Sequence, residues 1–262
     1  MTVELKAKQS LGQNFLTDAN VADNIVSAMQ LNSTDTVIEI GPGRGMLTRR
    51  ICPLVHECIA LEIDQRLIPG LQRDLADAKN LTILHQDALK YDFSVKGKDG
   101  LVVVGNIPYN ITSPIFFKAL DNRHCISRLI MLIQREVAER FVSAPNSKEY
   151  GILAVLSQTF ADVELLLRVP PTVFKPRPKV DSALVRWTFT QKYETQLKDP
   201  ELYRTIVKQA FGQRRKMMRR SLKDRVNDTR NDFDLTRRPE DLSIQEWIDL
   251  TNELMQHQNQ ER

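Results

Sequence analysis

The sequence predicts an α/β protein in which a domain with a mostly parallel, seven-stranded sheet precedes a small all-helical domain. Three observations predict this class. Short apolar runs rich in β-branched residues alternate with helical stretches between about Thr36 and Trp187, and a glycine-rich turn follows the first run. After Thr190 the strand pattern stops and helical segments take over, so we expect domains at residues 1–191 and 192–262.

The individual elements follow from the local patterns. The predicted strands are 36–40, 57–62, 81–85, 101–105, 128–134, 162–169 and 183–190. Crossover helices are expected at 46–53 and 65–78, and a rigid loop is expected around the prolines at 170, 171, 176 and 178. The C-terminal helices are predicted at 200–211, 216–226, 239–241 and 243–256.

The composition is that of an ordinary folded protein, with 42% hydrophobic and 27% charged residues and a formal charge of +4. Neither the N-terminus nor the longest apolar stretches, such as 129–133, match a signal peptide or a membrane span, so no membrane association is expected. Cys52, Cys58 and Cys125 are odd in number and lack metal-ligand spacing, which favours a cytoplasmic protein without a metal site. No feature demands more than a monomer.

The glycine-rich turn has the sequence Glu39-Ile-Gly41-Pro-Gly43-Arg-Gly45 and comes directly after the first predicted strand. Glycines at this point let the backbone bend sharply, and they let a nucleotide cofactor approach the main chain without an intervening Cβ. The dinucleotide fingerprint G-x-G-x-x-G requires a third glycine where this chain has Met46, so an NAD site is less well supported.

Acidic residues mark the ends of the next two predicted strands. Glu62 is placed to accept hydrogen bonds from both hydroxyls of a ribose, with Asp64 as its rival, and Asp87 can accept one from an adenine amine. Because the carboxyl ends of parallel strands lie at one edge of a sheet, we expect these acids and the glycine turn to share a crevice.

The fourth predicted strand ends in Asn106-Ile107-Pro108-Tyr109, at the same edge. Methylation of an aromatic amine leaves positive charge on a nitrogen whose lone pair was delocalised into the ring. The Asn106 side-chain oxygen and the Ile107 carbonyl can each accept an N–H of that amine, while Pro108 stiffens the turn and Tyr109 offers a face for stacking. No strong base is needed, because the nitrogen becomes acidic only after methyl transfer.

Five segments together resemble the ribosomal-RNA adenine dimethyltransferase family, especially its bacterial small-subunit branch. They occur in the family's order and cover nearly the whole chain: 8–16, 39–48, 106–109, 173–182 and 210–216. The resemblance implies a Rossmann-like methyltransferase domain that uses S-adenosylmethionine. It also implies dimethylation, at N6, of two adjacent adenines in a 3′-terminal hairpin of small-subunit (16S) ribosomal RNA, within a ribosome assembly intermediate.

The resemblance also assigns residues to the site. It implies a cofactor site formed by Asn14, Leu16, Gly41, Gly43, Glu62, Asp87 and Asn106. Phe174 would join Tyr109 in holding the flipped target base. Two positions depart from the usual pattern, since Asn14 replaces a histidine found in many members and Ile107 replaces a leucine. The alternatives are a large-subunit RNA methyltransferase of the macrolide-resistance type and a non-catalytic ribosome-assembly factor.

A basic segment near the C-terminus is the candidate RNA contact. On a helix, Phe211, Met218 and Leu222 would share an apolar stripe beside a stripe of cations, with Gly212 as a possible point of interruption. Extrusion of a base into a pocket requires a grip on the surrounding RNA, and phosphate contacts can supply it. The predicted contacts are Arg214, Arg215, Lys216, Arg219 and Arg220.

Overall fold

The computed structural model describes residues 6–96, 100–193, 195–214, 216–225 and 233–260. The chain divides into two compact units. The first contains Met1–Ala138 and Glu164–Phe189, and the second contains Glu139–Val163 and Thr190–Arg262. No helix among these described ranges is both long enough and apolar enough to cross a membrane.

Within the described residues, nine strands form two sheets. Their bounds are β1 Phe15–Leu16, β2 Thr36–Ile40, β3 Glu57–Glu62, β4 Leu81–His85, β5 Leu101–Asn106, β6 Ile126–Gln134, β7 Ala161–Val169, β8 Phe174–Lys175 and β9 Ser182–Phe189. The main sheet has seven strands in the order β4-β3-β2-β5-β6-β9-β7, and β1 pairs with β8 in a separate ribbon. The five neighbouring strands β4, β3, β2, β5 and β6 are parallel to one another, whereas β9 runs antiparallel to β6. The predicted class and all seven predicted strands are confirmed.

The strand order places a crevice at the centre of the main sheet. The chain runs from β2 outward to β3 and β4, then returns to place β5 on the other side of β2. Connections therefore leave the carboxyl ends of β2 and β5 in opposite directions, which opens a ligand-sized space between them. The strands lie close together at this point, since a Cβ added to Gly105 would come within 2.6 Å of the Ile40 carbonyl oxygen.

The α-helices differ from the sequence expectation more than the strands do. Their bounds are α1 Ala19–Met29, α2 Thr48–Ile51, α3 Ile68–Asp74, α4 Thr112–Asp121, α5 Arg135–Phe141, α6 Ile152–Phe160, α7 Pro200–Gly212, α8 Met218–Ser221 and α9 Ile244–Gln260. Helices α2 and α3 are shorter than predicted, and the segment predicted at 239–241 is one 3-10 turn. The sequence patterns did not identify α1, α4, α5 or α6.

The helix predicted at 216–226 is much shorter in the structure than expected. Helix α7 ends at Gly212, and only the four residues of α8 are helical before the chain turns at Leu222. Residue 226 lies outside the described residues. The backbone N–H groups of Met218 and Arg219 donate to the carbonyls of Arg237 and Leu235. Met218 and Arg219 begin α8, where N–H groups have no helical acceptor, so these long-range hydrogen bonds satisfy the first turn of the short helix.

The second unit also contains residues that precede the predicted boundary at 191. All residues of α6 except Ile152 and Gln158 are buried, so this helix needs apolar neighbours on most sides. It contacts α7 and α9. The Thr159 hydroxyl lies 2.7 Å from the Tyr203 hydroxyl, which ties α6 to α7 inside this unit. The structural division therefore differs from the predicted one because residues 139–163 pack with the C-terminal helices.

Helix α1 is held in place by both of its ends. The Asp18 side chain caps it by accepting from the Val21 N–H at 3.0 Å. Past its C-terminus, Arg128 of β6 donates to the Gln30 carbonyl at 2.9 Å and pairs with Asp35 at 2.6 Å. The Arg128 and Asp35 side chains are only 16% and 14% exposed, so this pair is well shielded from solvent.

Strand β2 contains one buried carboxylate. Glu39 is 1% exposed, and its Oε2 has no hydrogen-bond partner within the described part of the chain. Burial raises the pKa of Glu39 from 4.5 to about 7, the nearby Thr48 hydroxyl opposes that rise, and the charge of Glu62 adds to it. An acid is thus buried where the sheet would otherwise be apolar.

Replacement of Arg128 by alanine is expected to destabilise the first unit by roughly 2–3 kcal/mol. The substitution leaves the shielded Asp35 carboxylate and the carbonyls at the end of α1 without the Arg128 donor. Urea unfolding of the full chain measures this loss. The control is Arg73→Ala, whose partner Asp74 and own side chain are both exposed, and it is expected to cost at most about 1 kcal/mol. Equal losses in the two variants would contradict the structural role of Arg128.

Replacement of Glu39 by glutamine is expected to change how stability depends on pH. Between about pH 4.5 and 7 the unfolded chain loses the Glu39 proton while the folded protein keeps it, so wild-type stability falls as the pH rises. Glutamine lacks this titration. The stability gained by Glu39→Gln should therefore be about 3 kcal/mol larger at pH 8 than at pH 4.5. Urea unfolding at both pH values measures the difference, with Glu136→Gln at an exposed position as the control. A stability gain from Glu39→Gln that is the same at both pH values would contradict the raised pKa of Glu39.

Candidate active site

A cavity of about 980 Å³, counted with its open mouth, lies at the carboxyl ends of β2, β3, β4 and β5. The segment 11–16 and the turn after β5 complete its wall. The lining includes the predicted site residues Asn14, Leu16, Gly41, Gly43, Glu62, Asp87, Asn106, Ile107, Pro108 and Tyr109.

The glycine turn forms the floor of the cavity. Gly41, Gly43 and Gly45 have φ values of +67°, +59° and +74°, which residues with a Cβ rarely adopt. A Cβ added to Gly41 would meet no atom within 4 Å, so the backbone there is open to a bound molecule. One added to Gly43 would come within 3.1 Å of the Phe15 ring. The glycines thus provide both the curvature and the close approach that the sequence predicted.

Glu62 lies in the cavity wall, and its rival Asp64 does not. The two Glu62 carboxylate oxygens accept from the N–H groups of Gly43 at 3.1 Å and Asp64 at 2.8 Å. These bonds fix the carboxylate and leave lone pairs on both oxygens. The pKa of Glu62 is raised above its ordinary value, mainly because the carboxyl group is buried. Asp64 instead pairs with Arg66 and accepts from the Gln13 amide, and these bonds lower its pKa.

Asp87 lies at the next strand end along the wall. Its Oδ1 accepts from the Leu89 N–H at 2.9 Å, which orients the side chain at the start of the connection after β4. The second oxygen makes no hydrogen bond within the described ranges, and the residue lines the cavity. It is therefore oriented to accept one further hydrogen bond.

The side chain of Asn106 is oriented by the N-terminal segment. Its Nδ2 donates to the main-chain carbonyl of Asn14 at 2.9 Å, so its Oδ1 remains as an acceptor. Next to it, the Ile107 N–H donates to the Leu132 carbonyl of β6 at 3.1 Å, which fixes the peptide plane at the strand end. Gly12 packs beside this turn, where an added Cβ would come within 3.3 Å of Pro108.

The two aromatic residues assigned to the target base occupy different environments. Tyr109 is half-buried in the cavity wall, its hydroxyl lies 3.1 Å from the Ser182 hydroxyl, and burial raises its pKa. Phe174 is only 5% exposed, faces Leu16 across the β1-β8 ribbon and packs in the hydrophobic core. It is not among the residues that line the cavity.

Several contacts at the site were not predicted from the sequence. Phe15 lines the cavity, and the Arg44 guanidinium lies 4.9 Å from the centre of its ring. Glu39 also lines the cavity. The resemblance pointed to the segment around Asn14 but not to the use of its main-chain carbonyl, because a carbonyl has no sequence signature.

The predicted RNA-contacting residues belong to the second unit. Lys216, Arg219 and Arg220 are exposed. Arg214 is partly engaged, since its guanidinium donates to the Lys148 carbonyl at 2.6 Å and lies 4.0 Å from the Glu240 carboxylate. Arg215 lies outside the described residues.

Known proteins resemble this chain over nearly its full length. Residues 4–258 match the sequence model of the ribosomal RNA adenine dimethylase family. The chain is 39% identical over 259 residues to a protein of Clostridium botulinum named ribosomal RNA small subunit methyltransferase A, covering 95% of this chain and 94% of that protein. A Bacillus mycoides protein with the same name is 38% identical, with 95% and 92% covered.

Solved structures share the architecture. A dimethyladenosine transferase from Plasmodium falciparum superposes with a TM-score of 0.77 at 23% identity, covering 94% of this chain and 98% of that one. The 23S rRNA methyltransferase ErmE superposes with a TM-score of 0.73 at 26% identity, with 92% and 100% covered. The family match over residues 4–258 and the 38–39% identity to the two bacterial proteins show that the chain belongs to the ribosomal RNA adenine dimethylase family.

Proposed function

We propose that the protein transfers methyl groups from S-adenosylmethionine to the N6 amines of two adjacent adenines in a 3′-terminal hairpin of small-subunit (16S) ribosomal RNA. The observation that carries this proposal is the fixed pair of acceptors, Asn106 Oδ1 and the Ile107 carbonyl, which line the same cavity as Gly41, Glu62 and Asp87 in a member of an adenine dimethylase family. The product is N6,N6-dimethyladenosine.

The wall of the cavity fits the methyl donor. S-adenosylmethionine supplies an electrophilic methyl group on a sulfonium and carries a ribose, an adenine and an ammonium group. Glu62 would accept hydrogen bonds from the ribose hydroxyls, and Asp87 would accept one from the adenine amine. The open main chain at Gly41 allows the cofactor to approach closely. Asn14 and Leu16 bound the same cavity, and Gly43 holds the Glu62 carboxylate in place.

The residues after β5 then act on the amine of the target adenine. Asn106 Oδ1 and the Ile107 carbonyl accept its two N–H groups, which localises the nitrogen lone pair and stabilises the positive charge that develops. Tyr109 stacks on the base, and its hydroxyl bond to Ser182 limits rotation of the ring. The proton leaves to water after transfer. Phe174 supports this arrangement from the core, through its pairing with Leu16.

The small subunit is the favoured substrate. The relatives at 38–39% identity are named for small-subunit RNA, whereas the 23S rRNA methyltransferase ErmE is only 26% identical to this chain. The substrate is the RNA of a cytoplasmic assembly intermediate, and the enzyme acts as a monomer. The second unit serves as the RNA-binding domain, in which Arg214, Lys216, Arg219 and Arg220 contact phosphates. The same role is proposed for Arg215.

The proposal is tested by incubating the protein with labelled S-adenosylmethionine and small ribosomal subunits from cells that lack it. We expect dimethyladenosine after digestion of the RNA to nucleosides. Asn106→Ala should lower kcat by about 100-fold or more, since one of two charge-stabilising acceptors is lost, while cofactor affinity is largely retained.

The matched control for this variant is Asn110→Ala, at an exposed position of the 3-10 turn Tyr109–Ile111 that follows the acceptors. It is expected to retain most activity. Absence of dimethyladenosine with the wild-type protein, under conditions where a known enzyme is active, would overturn the proposed reaction. Undiminished turnover by Asn106→Ala would overturn the role of the acceptor.

The choice between Glu62 and Asp64 predicts a difference in cofactor affinity. Glu62→Gln should weaken binding of S-adenosylhomocysteine by about 10- to 100-fold, because a charged acceptor of hydroxyl groups is lost. Asp64→Asn should have a much smaller effect, since that carboxylate is committed to Arg66 and Gln13. Titration calorimetry measures both constants, and a larger loss for Asp64→Asn would reverse the assignment.

A further inference from the structure

The proline-rich loop between β8 and β9 presents a row of cations that the proposed mechanism does not use. Lys175, Arg177 and Lys179 are all exposed, and they alternate with Pro176 and Pro178. The single acid of the loop is Asp181, whose carboxylate accepts from the Arg168 guanidinium at 3.0 Å. The outward face of the loop is therefore positively charged.

Both ends of this loop are attached to the wall of the cavity. At its beginning, Lys175 pairs with Phe15 of β1, and Phe15 lines the cavity. At its end, the Ser182 hydroxyl lies 3.1 Å from that of Tyr109, which also lines the cavity. The Asp181 carbonyl in addition accepts from the Arg135 N–H at 3.0 Å. The cations are thus held within a few residues of two parts of the cavity wall.

The backbone of the loop has little freedom to lose on binding. Proline fixes φ near −65° and restricts the residue that precedes it, so Arg177 is constrained by the proline that follows it. Rigid presentation lowers the entropic cost of holding a partner. Exposed cations on a rigid, anchored loop fit a partner with regularly spaced negative charges, which is the character of an RNA backbone.

We propose that Arg177 and Lys179, together with Lys175, bind the phosphates that flank the target adenine. This inference rests on the proposed function, since it assigns a second RNA contact to the catalytic unit. An extruded base keeps its backbone outside the pocket, so its neighbouring phosphates lie at the cavity mouth. Contacts made there position the target nucleotide, in addition to any grip by the second unit.

The test compares two double variants with the same change in charge. Arg177→Gln/Lys179→Gln removes the loop cations and leaves Lys175, whose backbone pairs with β1. The control is Arg73→Gln/Lys79→Gln, in which both positions are exposed and Lys79 precedes the amino end of β4, opposite the cavity. Binding of undermethylated small subunits is measured over a range of salt concentrations with S-adenosylhomocysteine present, and methylation is measured separately.

The loop variant is expected to bind subunits about tenfold more weakly and to raise the KM for subunits, with affinity for S-adenosylhomocysteine unchanged. The plot of log affinity against log salt concentration should become less steep, its slope decreasing in magnitude by about 1 to 2. Each phosphate contact contributes somewhat less than one to that magnitude. Binding and slope equal to wild type would overturn the inference. So would an equal loss in the control, or a loss of cofactor affinity in the loop variant.

Failure of the proposed function gives a different result. If the wild-type protein binds subunits but forms no dimethyladenosine, the reaction is wrong, while the comparison of salt slopes still decides the role of the loop. If the wild-type protein methylates subunits and the loop variant matches it in KM and salt slope, the loop inference alone is overturned.

Discussion

The site depends on the close approach of β2 and β5 at the centre of the sheet. Gly105 permits it, because any side chain would collide with the Ile40 carbonyl and with Ile107. At this separation the glycine turn after β2 and the acceptors after β5 both line one cavity. A wider spacing would separate the groups that hold the donor from those that hold the amine, and positioning is the main catalytic contribution of such a site.

The second requirement is closure of the cavity by segments that are distant in sequence. The β1-β8 ribbon joins residues 15–16 to residues 174–175, and this pairing brings the Asn14 carbonyl to the Asn106 amide. The proposed acceptor Asn106 is therefore oriented by the segment at Asn14, which is held in place by the pairing of β1 with β8. Substitutions in any of these three segments should affect the geometry of the same side chain.

The sequence was most informative where one residue type satisfies a local constraint. Glycines with positive φ, apolar strands and acids at strand ends were predicted because each leaves a local pattern. Burial of Phe174 against Leu16 and the grouping of residues 139–163 with the C-terminal helices depend on packing between distant segments, which no local pattern records. The position of the short helix α8 depends on such a contact too, since its first N–H groups donate to the carbonyls of Arg237 and Leu235.

The electrostatics of the cavity wall follow from its ligand. Glu39 and Glu62 are buried side by side, and burial raises the pKa of both, so their ionisation opposes folding of the empty protein. A donor that carries a sulfonium and an ammonium group would favour the ionised forms of these acids. In the empty protein these two acids destabilise the sheet, whereas in the complex their charges are complementary to the cofactor. Part of the binding free energy of the donor therefore offsets a cost of folding. This arrangement favours a positively charged donor over its neutral-sulfur product, which promotes release after each transfer.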